Sequence, residues 1–466
     1  MSRRDVGPFD VMEALEPRIV LSGGDLTFAL YSPEGFAHDS VTEVVTISNS
    51  EDVAADFQLL ARYETGERDQ LLAEGTLAPG EIREITIASA GDPDGRLVRK
   101  ATPFALELCS DGELSATLRH DDFGGVIVQS FSDDQETTWS FGNGVKDDSN
   151  QRDFIVLYNP GDDDVVVTLT GVTEAGGTFV LQQKVEGHRR GGWDLRREDD
   201  APNGAFGLVL DSSSPIVVSR SHYNVTLGAA FGQLGQAGGG AMAGAILGLD
   251  VDDADEDFPS VLNLFNAENG AAQVTITIQP GDDDVVFFPE SHIVNLEANS
   301  FTQIELADFG LPQDQDLTIV YSSDVPITMS ALTSHQGRVF GVPSVTQAAT
   351  GWQFASGSVD RIQDGELRTD DVFIFNPTNS SIQVTVTFTF SNGEVIQIDK
   401  SLDPNESEDV DAELMVDADE ELGYSVVIEA SGFVVASLEG IDLLTDSGFV
   451  SAGVASGTVT DLEFLL

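Results

Sequence analysis

Positively charged residues are scarce in this chain. Its 466 residues include 22 Lys and Arg against 80 Asp and Glu, so the formal net charge at pH 7 is −58. Nucleic acids and anionic lipid surfaces are bound by clustered cations that displace counterions. The composition therefore excludes nucleic acid and the membrane surface as expected partners. Four lysines are present: Lys100, Lys146, Lys184 and Lys400.

Cysteine and long apolar runs are also nearly missing. Cys109 is the only cysteine, so no disulfide can form within the chain. Its neighbours Phe104, Leu106 and Leu108 alternate as in a β-strand, which predicts a buried, inert thiol. No apolar run approaches the ~18 residues that a membrane span needs, so no membrane insertion is expected. Hydrophobic residues nevertheless make up 41% of the chain, which is typical of a folded protein.

One strand-like segment recurs four times and ends each time in asparagine. The four copies read VVTISNS, IVLYNP, LNLFNA and VFIFNP. Their asparagines are separated by 110, 107 and 110 residues, and such regular recurrence indicates an internal repeat. The asparagines are Asn49, Asn159, Asn266 and Asn376.

The rest of each repeat predicts β-structure. Alternating, β-branched runs are separated by Gly, Pro and Asn turn signals every 8–12 residues, giving about seven strands per ~107 residues. We therefore predict an all-β fold with four tandem immunoglobulin-like β-sandwich domains after a short N-terminal segment. The short joins predict that neighbouring domains touch. The segment covers residues 1–24, and the domains cover residues 25–135, 136–240, 241–348 and 349–466.

The N-terminal segment contains MEALEPRIVLSG, at residues 12–23. It resembles the LEPR-XLL motif, which heads many large, repetitive bacterial proteins that are regarded as exported. Val20 replaces the first leucine of the final pair. The resemblance implies an extracellular or cell-surface location, and the alternative is a short amphipathic helix docked on the first domain. The matching residues are Leu15, Glu16, Pro17, Arg18 and Leu21.

Two repeats open with a Trp-x-Phe segment. Repeat two has Trp139 and Phe141 in TTWSFGNG, and repeat four has Trp352 and Phe354 in TGWQFASG. With the Asn-Pro turn and the strand SSSPIVVSRSHY, these segments resemble a bacterial tandem β-sandwich repeat that opens with a WYFAEG-like segment. That type occurs in secreted and surface proteins. The resemblance implies a non-catalytic, structural or adhesive role, with both tryptophans in the domain cores.

Motifs for catalysis are missing from the sequence. It holds no G-x-S-x-G, no H-E-x-x-H and no G-x-x-x-x-G-K, so an enzyme is not expected. His120, His222 and His335 each follow the last paired strand of a repeat. Because they lie about one repeat apart, we interpret them as turn or interdomain contacts rather than as one metal site.

A cluster of aspartates before the Asn266 strand suggests calcium, since hard oxygen donors suit Ca²⁺. Their spacing imitates the start of an EF-hand loop, but Phe258 stands where the sharp turn needs Gly, and Leu264 stands where the bidentate Glu belongs. An EF-hand is excluded, and an irregular calcium site is the one cofactor prediction. The alternative function is thus a calcium- or carbohydrate-binding adhesin module. The candidate ligands are Asp252, Asp253, Asp255 and Asp257.

One basic island interrupts the acidic chain, in the segment GHRRGGWDLRR. We predict that it docks an acidic partner, either the C-terminal half of another copy or a different surface component. Its residues are Arg189, Arg190, Trp193, Arg196 and Arg197.

The negative charge is concentrated in the second half. Residues 241–466 hold four basic residues against 40 acidic ones, a net charge of −36. Self-repulsion of this size opposes compaction at low ionic strength. The pattern therefore predicts a saline or cation-rich habitat.

The chain ends in DLEFLL, much like the DLTFAL that opens repeat one at residues 25–30. This likeness predicts a first-strand element at the C-terminus. The element pairs either at the edge of the last sandwich or at the open edge of another molecule.

Overall fold

The computed structural model is an all-β structure, as predicted. Its regular elements are antiparallel strands and short 3₁₀ turns, and these turns fall far short of the length and hydrophobicity that a membrane-crossing helix needs. The structure describes residues 26–64, 68–91, 95–147, 150–226, 229–250, 260–281, 288–311, 316–335, 338–362, 365–411, 422–442 and 447–466.

The strands fall into four consecutive groups. Group 1 comprises β1 (Phe28–Ser32), β2 (Thr42–Ser48), β3 (Ala55–Tyr63), β4 (Gln70–Leu77), β5 (Ile82–Thr86), β6 (Phe104–Ser110), β7 (Ser115–Asp122) and β8 (Gly125–Ser130). Group 2 comprises β9 (Glu136–Lys146), β10 (Gln151–Asn159), β11 (Val165–Thr173), β12 (Thr178–Val185), β13 (Arg189–Asp194), β14 (Gly204–Asn224), β15 (Ala229–Leu234) and β16 (Gln236–Ala237).

Groups 3 and 4 follow in the second half. Group 3 comprises β17 (Ala241–Asp250), β18 (Val261–Asn266), β19 (Ala272–Pro280), β20 (Glu290–Leu296), β21 (Ser300–Glu305), β22 (Asp316–His335) and β23 (Arg338–Pro343). Group 4 comprises β24 (Gln347–Ile362), β25 (Gly365–Phe375), β26 (Ile382–Phe390), β27 (Val395–Leu402), β28 (Ser407–Asp411), β29 (Leu422–Asp442), β30 (Ser447–Ala452) and β31 (Val454–Asp461).

All four groups pair their strands in one pattern. In group 1 the orders are β4-β3-β6-β1 and β5-β2-β7-β8. In group 3 they are β20-β19-β22-β17 and β21-β18-β22-β23. Groups 2 and 4 pair their corresponding strands in the same way. Each group thus builds one sheet around the hairpin that follows the asparagine and a second sheet around the asparagine strand.

The strand that joins the two sheets differs from expectation in three groups. Late in each repeat, two alternating runs flank a short polar stretch, as in FALELCSDGELSATL and FGLVLDSSSPIVVSRS, which predicts two strands joined by a short turn. This is correct in group 1, where β6 and β7 are separate. In β14, β22 and β29 the backbone stays extended, so a single strand serves both sheets. In β14, Val209 pairs with Thr170 in one sheet and Val218 pairs with Leu157 in the other. The predicted turn is wrong there because the polar residues continue the strand while it crosses between the sheets.

Alternating side chains build the cores. Along β26, Val384, Val386 and Phe388 are buried, whereas the intervening threonines are half-buried. Each buried aliphatic or aromatic side chain contributes about 1.5–3 kcal/mol. Trp139 and Trp352 are 1% and 3% exposed, and both indole N–H groups donate to backbone carbonyls. Both tryptophans are therefore core residues, as the sequence predicts.

The recurring asparagines hold the same turn in every group. Each is at most 1% exposed. In group 2, Nδ2 of Asn159 donates to the carbonyls of Asp163 and Glu186, and its Oδ1 accepts from the N–H of Gly161. The other three copies also donate to the carbonyl four residues ahead and accept from the N–H two residues ahead. Only a side-chain amide offers both functions at this reach, so the asparagine is structural.

The C-terminal segment pairs within the chain. Strand β31 lies antiparallel to β24, with Gln347 opposite Asp461. The chain then forms a 3₁₀ turn, Leu462–Phe464, rather than the strand that the likeness to DLTFAL predicts. Leu462 is fully buried in the core of group 4, so this turn closes one end of that core.

The four groups contact one another in a closed cycle. Group 1 meets group 2 where Ser221 Oγ donates to Glu34 at 2.6 Å. Group 2 meets group 3 through the Ser140 and Thr328 hydroxyls, 2.5 Å apart. Group 3 meets group 4 where Ser407 Oγ donates to Thr318 at 2.8 Å. Group 4 returns to group 1 through Ser451 and Ser130, whose hydroxyls are 3.0 Å apart.

Four strands meet at the centre of this cycle, and we call them the hub strands: β8, β15, β23 and β30. Each contacts the hub strand of the next group, and β30 contacts β8. Glycines permit the close approach. A Cβ on Gly232 would lie 2.3 Å from a side-chain atom of Ile127, and one on Gly341 would lie 2.5 Å from Phe231. The hub strand of each group is thus an interface strand.

Candidate functional site

A cavity of about 870 Å³ lies where the four groups meet. Every hub strand lines it, together with the segments that follow them, so no single group forms it alone. A volume of this size is within the range of small-molecule sites. The cavity therefore depends on the closed cycle of groups.

Three glutamines, Gln129, Gln233 and Gln236, belong to the lining of the cavity. Gln129 in β8 is 3% exposed and Gln233 in β15 is 5% exposed. Both amide atoms of Gln129 and of Gln236 and Oε1 of Gln233 are buried and have no hydrogen-bond partner in the described part of the chain. A buried polar atom left unpaired costs about 1–3 kcal/mol, so these amides oppose the stability of the hub.

The exposed lining is acidic. Five carboxylates belong to it, and none of the described lining residues is Lys, Arg or His. The field at this rim therefore repels anions and attracts cations. The carboxylates are those of Asp133, Asp134, Glu136, Asp461 and Glu463.

A buried ion pair lies beside the hub in group 2. Arg220 and Asp153 are both 1% exposed, and the guanidinium donates twice to the carboxylate, at 2.8 Å each. Arg220 also donates to Oδ1 of Asn143 at 2.7 Å and covers the ring of Phe231 at 5.0 Å. Burial alone would raise the pKa of Asp153, but the charge of Arg220 outweighs it and lowers that pKa.

Two of the predicted contact histidines occupy equivalent positions. His120 pairs across the sheet with Glu43, and His222 with Asp153. In group 3 the corresponding polar pair is Ser260 with Thr333, whose hydroxyls are 3.3 Å apart. His335 therefore lies two residues beyond the equivalent site, and the apparent sequence pattern of three histidines breaks down in group 3.

His120 is buried against a carboxylate at the contact with group 2. Its Nδ1 lies 2.7 Å from Oε1 of Glu43, and its ring lies 6.3 Å from that of Tyr223. Burial opposes protonation, but the hydrogen bond and charge of Glu43 dominate and raise the pKa of His120 to about 9. The imidazolium form is thus favoured in the folded state.

This pair predicts a pH dependence of stability. Because the folded-state pKa is raised above 6.5, the contribution is complete below pH 6.5 and is lost as the pH rises through about 9. We expect the free energy of unfolding to fall by up to about 3 kcal/mol across this window, measured by urea titration. His120→Gln should flatten the profile, whereas the matched change at the exposed His38 should not. An unchanged profile in His120→Gln would contradict the prediction.

The predicted basic island is divided between the interface, the core and the surface. Arg189 lies 2.6 Å from Asp69, and Arg190 lies 3.1 Å from Glu64, both in group 1. These two arginines thus bind carboxylates of the same chain. Trp193 was expected in the docking patch, but it is 8% exposed, because alternation along β13 turns its ring into the core of group 2.

Two arginines of the island stay exposed. Arg196 and Arg197 lie on the 3₁₀ turn that follows β13, and Arg197 pairs with Asp194 at 2.9 Å. The prediction of an external partner therefore rests on these two side chains alone.

The remaining predicted sites lie outside the described residues. These are the LEPR-type segment, including Val20, and the calcium candidates Asp252, Asp253, Asp255 and Asp257. Within the described ranges, no group of three or more His, Cys, Asp or Glu side chains could hold a metal ion. The calcium site remains a prediction.

The lone cysteine is half-buried in β6. Its Sγ lies 3.4 Å from Oε1 of Glu107. Burial and the charge of Glu107 raise the pKa of Cys109 to about 12, so the reactive thiolate is disfavoured at neutral pH.

No family model matches the chain, and no curated protein matches it. Thermotoga maritima 1070 is similar over 23% of this chain and 94% of its own, with 18% identity and a TM-score of 0.20. The Anabaena sensory rhodopsin transducer is similar over 20% of this chain and 95% of its own, with 23% identity and a TM-score of 0.17.

A tetra-tandem repeat from the extending region of a large adhesion protein aligns over 89% of this chain and 92% of its own, with 13% identity and a TM-score of 0.10. At these TM-scores none of the three similarities assigns a function to the chain.

Proposed function

We propose that this chain is a non-catalytic, secreted or cell-surface protein of a bacterium, with a structural or adhesive role in saline or cation-rich surroundings. Its four strand groups are then four tandem immunoglobulin-like β-sandwich repeats, with the boundaries that the sequence predicts. The common sheet order and the common asparagine turn support this interpretation.

The closed cycle of groups is the observation that carries the proposal. Hydroxyl and carboxylate contacts join each group to the next, and Ser451 joins the last group to Ser130 of the first. The four groups and the contacts between them make one compact body rather than an extended rod. A compact body favours display, coating or adhesion over spacing.

The location can be tested directly. An antibody against the folded chain should detect it in the envelope fraction or the medium of the native cell. Cytoplasmic and outer-envelope marker proteins serve as fractionation controls. Recovery of the chain with the cytoplasmic marker would refute the surface proposal.

A further inference from the structure

Each half of the closed cycle is held together by its own joint. The first half consists of groups 1 and 2, and the hydroxyl of Tyr158 in group 2 donates to Glu107 in group 1 at 2.6 Å, in addition to the ion pairs that join these groups. The second half consists of groups 3 and 4, where Val320 of group 3 lies in the same hydrophobic cluster as Phe375 of group 4. Each half therefore has contacts that do not involve the other half.

The joint that closes the cycle, between group 4 and group 1, has serine where the other three joints have an aromatic residue. The residue before the recurring asparagine is Tyr158, Phe265 or Phe375 in groups 2 to 4, and each is at most 1% exposed. These rings pack with residues of the preceding group. In group 1 the residue is Ser48, whose hydroxyl lies 2.7 Å from that of Ser115 in the same group. The closing joint thus has a smaller side chain at this position.

The two halves are linked by a short glycine segment. Gly238, Gly239 and Gly240 lie between β16 and β17, with φ angles of 75°, 80° and 147°. Glycine adopts such angles and extended backbone about equally well. Gly238 is exposed, and no atom lies within 4 Å of the position that its Cβ would take. This segment therefore has the conformational freedom of a hinge.

Both halves carry a negative charge. Residues 1–240 have a net charge of −22 and residues 241–466 a net charge of −36. Their repulsion opposes the two joints between the halves, and salt screens it. Low ionic strength therefore favours opening at the hinge, and added salt favours closure.

We propose that the two halves exchange between two copies of this chain. In the resulting twofold dimer, groups 1 and 2 of one copy pack on groups 3 and 4 of the other copy, through the same contacts that close the single chain. Because these contacts are equivalent, the balance between monomer and dimer depends on protein concentration and on the conformation of the hinge. The exchange goes beyond the proposed surface role and does not depend on the location of the protein.

Protein concentration provides the first test. The chain is opened in moderate urea at low salt and then returned to salt without urea at a series of protein concentrations. The dimer fraction should rise with concentration and become substantial near about 1 mM, because exchange competes with an effective concentration of the order of mM within one chain. Size-exclusion chromatography with light scattering measures this fraction.

A hinge variant should shift the balance toward the dimer. Gly238→Pro excludes the φ of 75° and removes the N–H that donates to the carbonyl of Thr138. It should raise the dimerisation constant about tenfold or more. Gly393→Pro is the matched control, because Gly393 has a φ of 87°, donates to the carbonyl of Phe390 and lies in the β26–β27 turn, away from the hinge. Gly238→Ala replaces Gly238→Pro if that variant does not fold.

Introduced disulfides identify the parts that exchange. All variants carry Cys109→Ser, which removes the native thiol. Ser140→Cys with Thr328→Cys crosses a joint between the halves, so its disulfide should link two chains in the dimer and close one chain in the monomer. Thr318→Cys with Ser407→Cys lies within the second half, so its disulfide should stay within one chain in both species. Gel electrophoresis without reductant distinguishes these outcomes.

The other joint between the halves provides a second reporter. Ser130→Cys with Ser451→Cys should behave like the first pair, and it replaces that pair if the first variant does not fold.

Three results would overturn the proposal. The first is a folded wild-type chain and a folded hinge variant that both stay monomeric at every concentration. The second is a dimer in which the disulfides between the halves close single chains, because that dimer would form by surface contact. The third is a dimer in which the disulfide within the second half links two chains, because group 4 alone would then exchange.

Discussion

Replacing Arg220 by leucine should lower the free energy of unfolding by about 3–5 kcal/mol. The substitution leaves the buried carboxylate of Asp153 without its bidentate partner and leaves Oδ1 of Asn143 with only the longer hydrogen bond, 3.5 Å, from Ser330. Leu118 and Leu438 occupy the corresponding core positions of groups 1 and 4. Leucine therefore suits the fold, and the expected loss comes from the orphaned charge. Urea unfolding of the full chain, followed at several wavelengths, measures this loss in the free energy of unfolding.

A second substitution provides the control. Group 3 has Ser260 where group 2 has Asp153, six residues before the asparagine in each case. The double variant Arg220→Leu with Asp153→Ser removes both charges, and it should recover at least half of the lost stability. A single variant that costs less than about 1 kcal/mol would show that the carboxylate finds water or another partner. A double variant as unstable as the single one would show that Arg220 acts through its packing on Phe231.

The repeat could be recognised from sequence because the asparagine that defines it makes local hydrogen bonds, in addition to one with a carbonyl 27 residues ahead in group 2. The asparagine fixes a turn through neighbours two and four residues away, so the constraint survives in every copy. Alternating burial is equally local. These features predict the all-β class. The resemblance of the Trp-x-Phe segments implies the core tryptophans, and the short joins predict the contact between neighbouring domains.

The closed cycle could not be predicted in this way. It depends on contacts between residues far apart in sequence, such as Ser130 with Ser451, and small polar residues carry no recognisable signal. The buried position of Trp193 was missed because the adjacent arginines suggested a surface patch. A signal for the cavity did exist: Gln129 and Gln233 interrupt apolar hub strands at corresponding positions, two residues after the partners of His120 and His222.

Raising NaCl from about 0.01 M to about 1 M should raise the melting temperature by about 10 °C or more. This change shortens the Debye length from about 30 Å to about 3 Å, which screens repulsion between exposed carboxylates. Residues 241–466 carry a net charge of −36, so their repulsion is the largest. Carboxylates lie close together in group 4, where Asp371 lies opposite Asp411 on paired strands. Burial, followed by the charges of the neighbouring aspartates, raises the pKa of Asp371 to about 8.

Charge-neutral variants separate screening from other effects of salt. Glu394→Gln with Glu429→Gln removes two exposed charges from group 4, so it should raise the low-salt melting temperature and reduce its dependence on NaCl. Asp164→Asn, which removes the exposed partner of Lys184 in group 2, should do neither. If CaCl₂ at matched ionic strength stabilises the chain more than NaCl does, the aspartates between Asp252 and Asp257 become the first residues to neutralise. A melting temperature that is flat in both salts would contradict the saline adaptation, because unscreened repulsion of this size must then be absent.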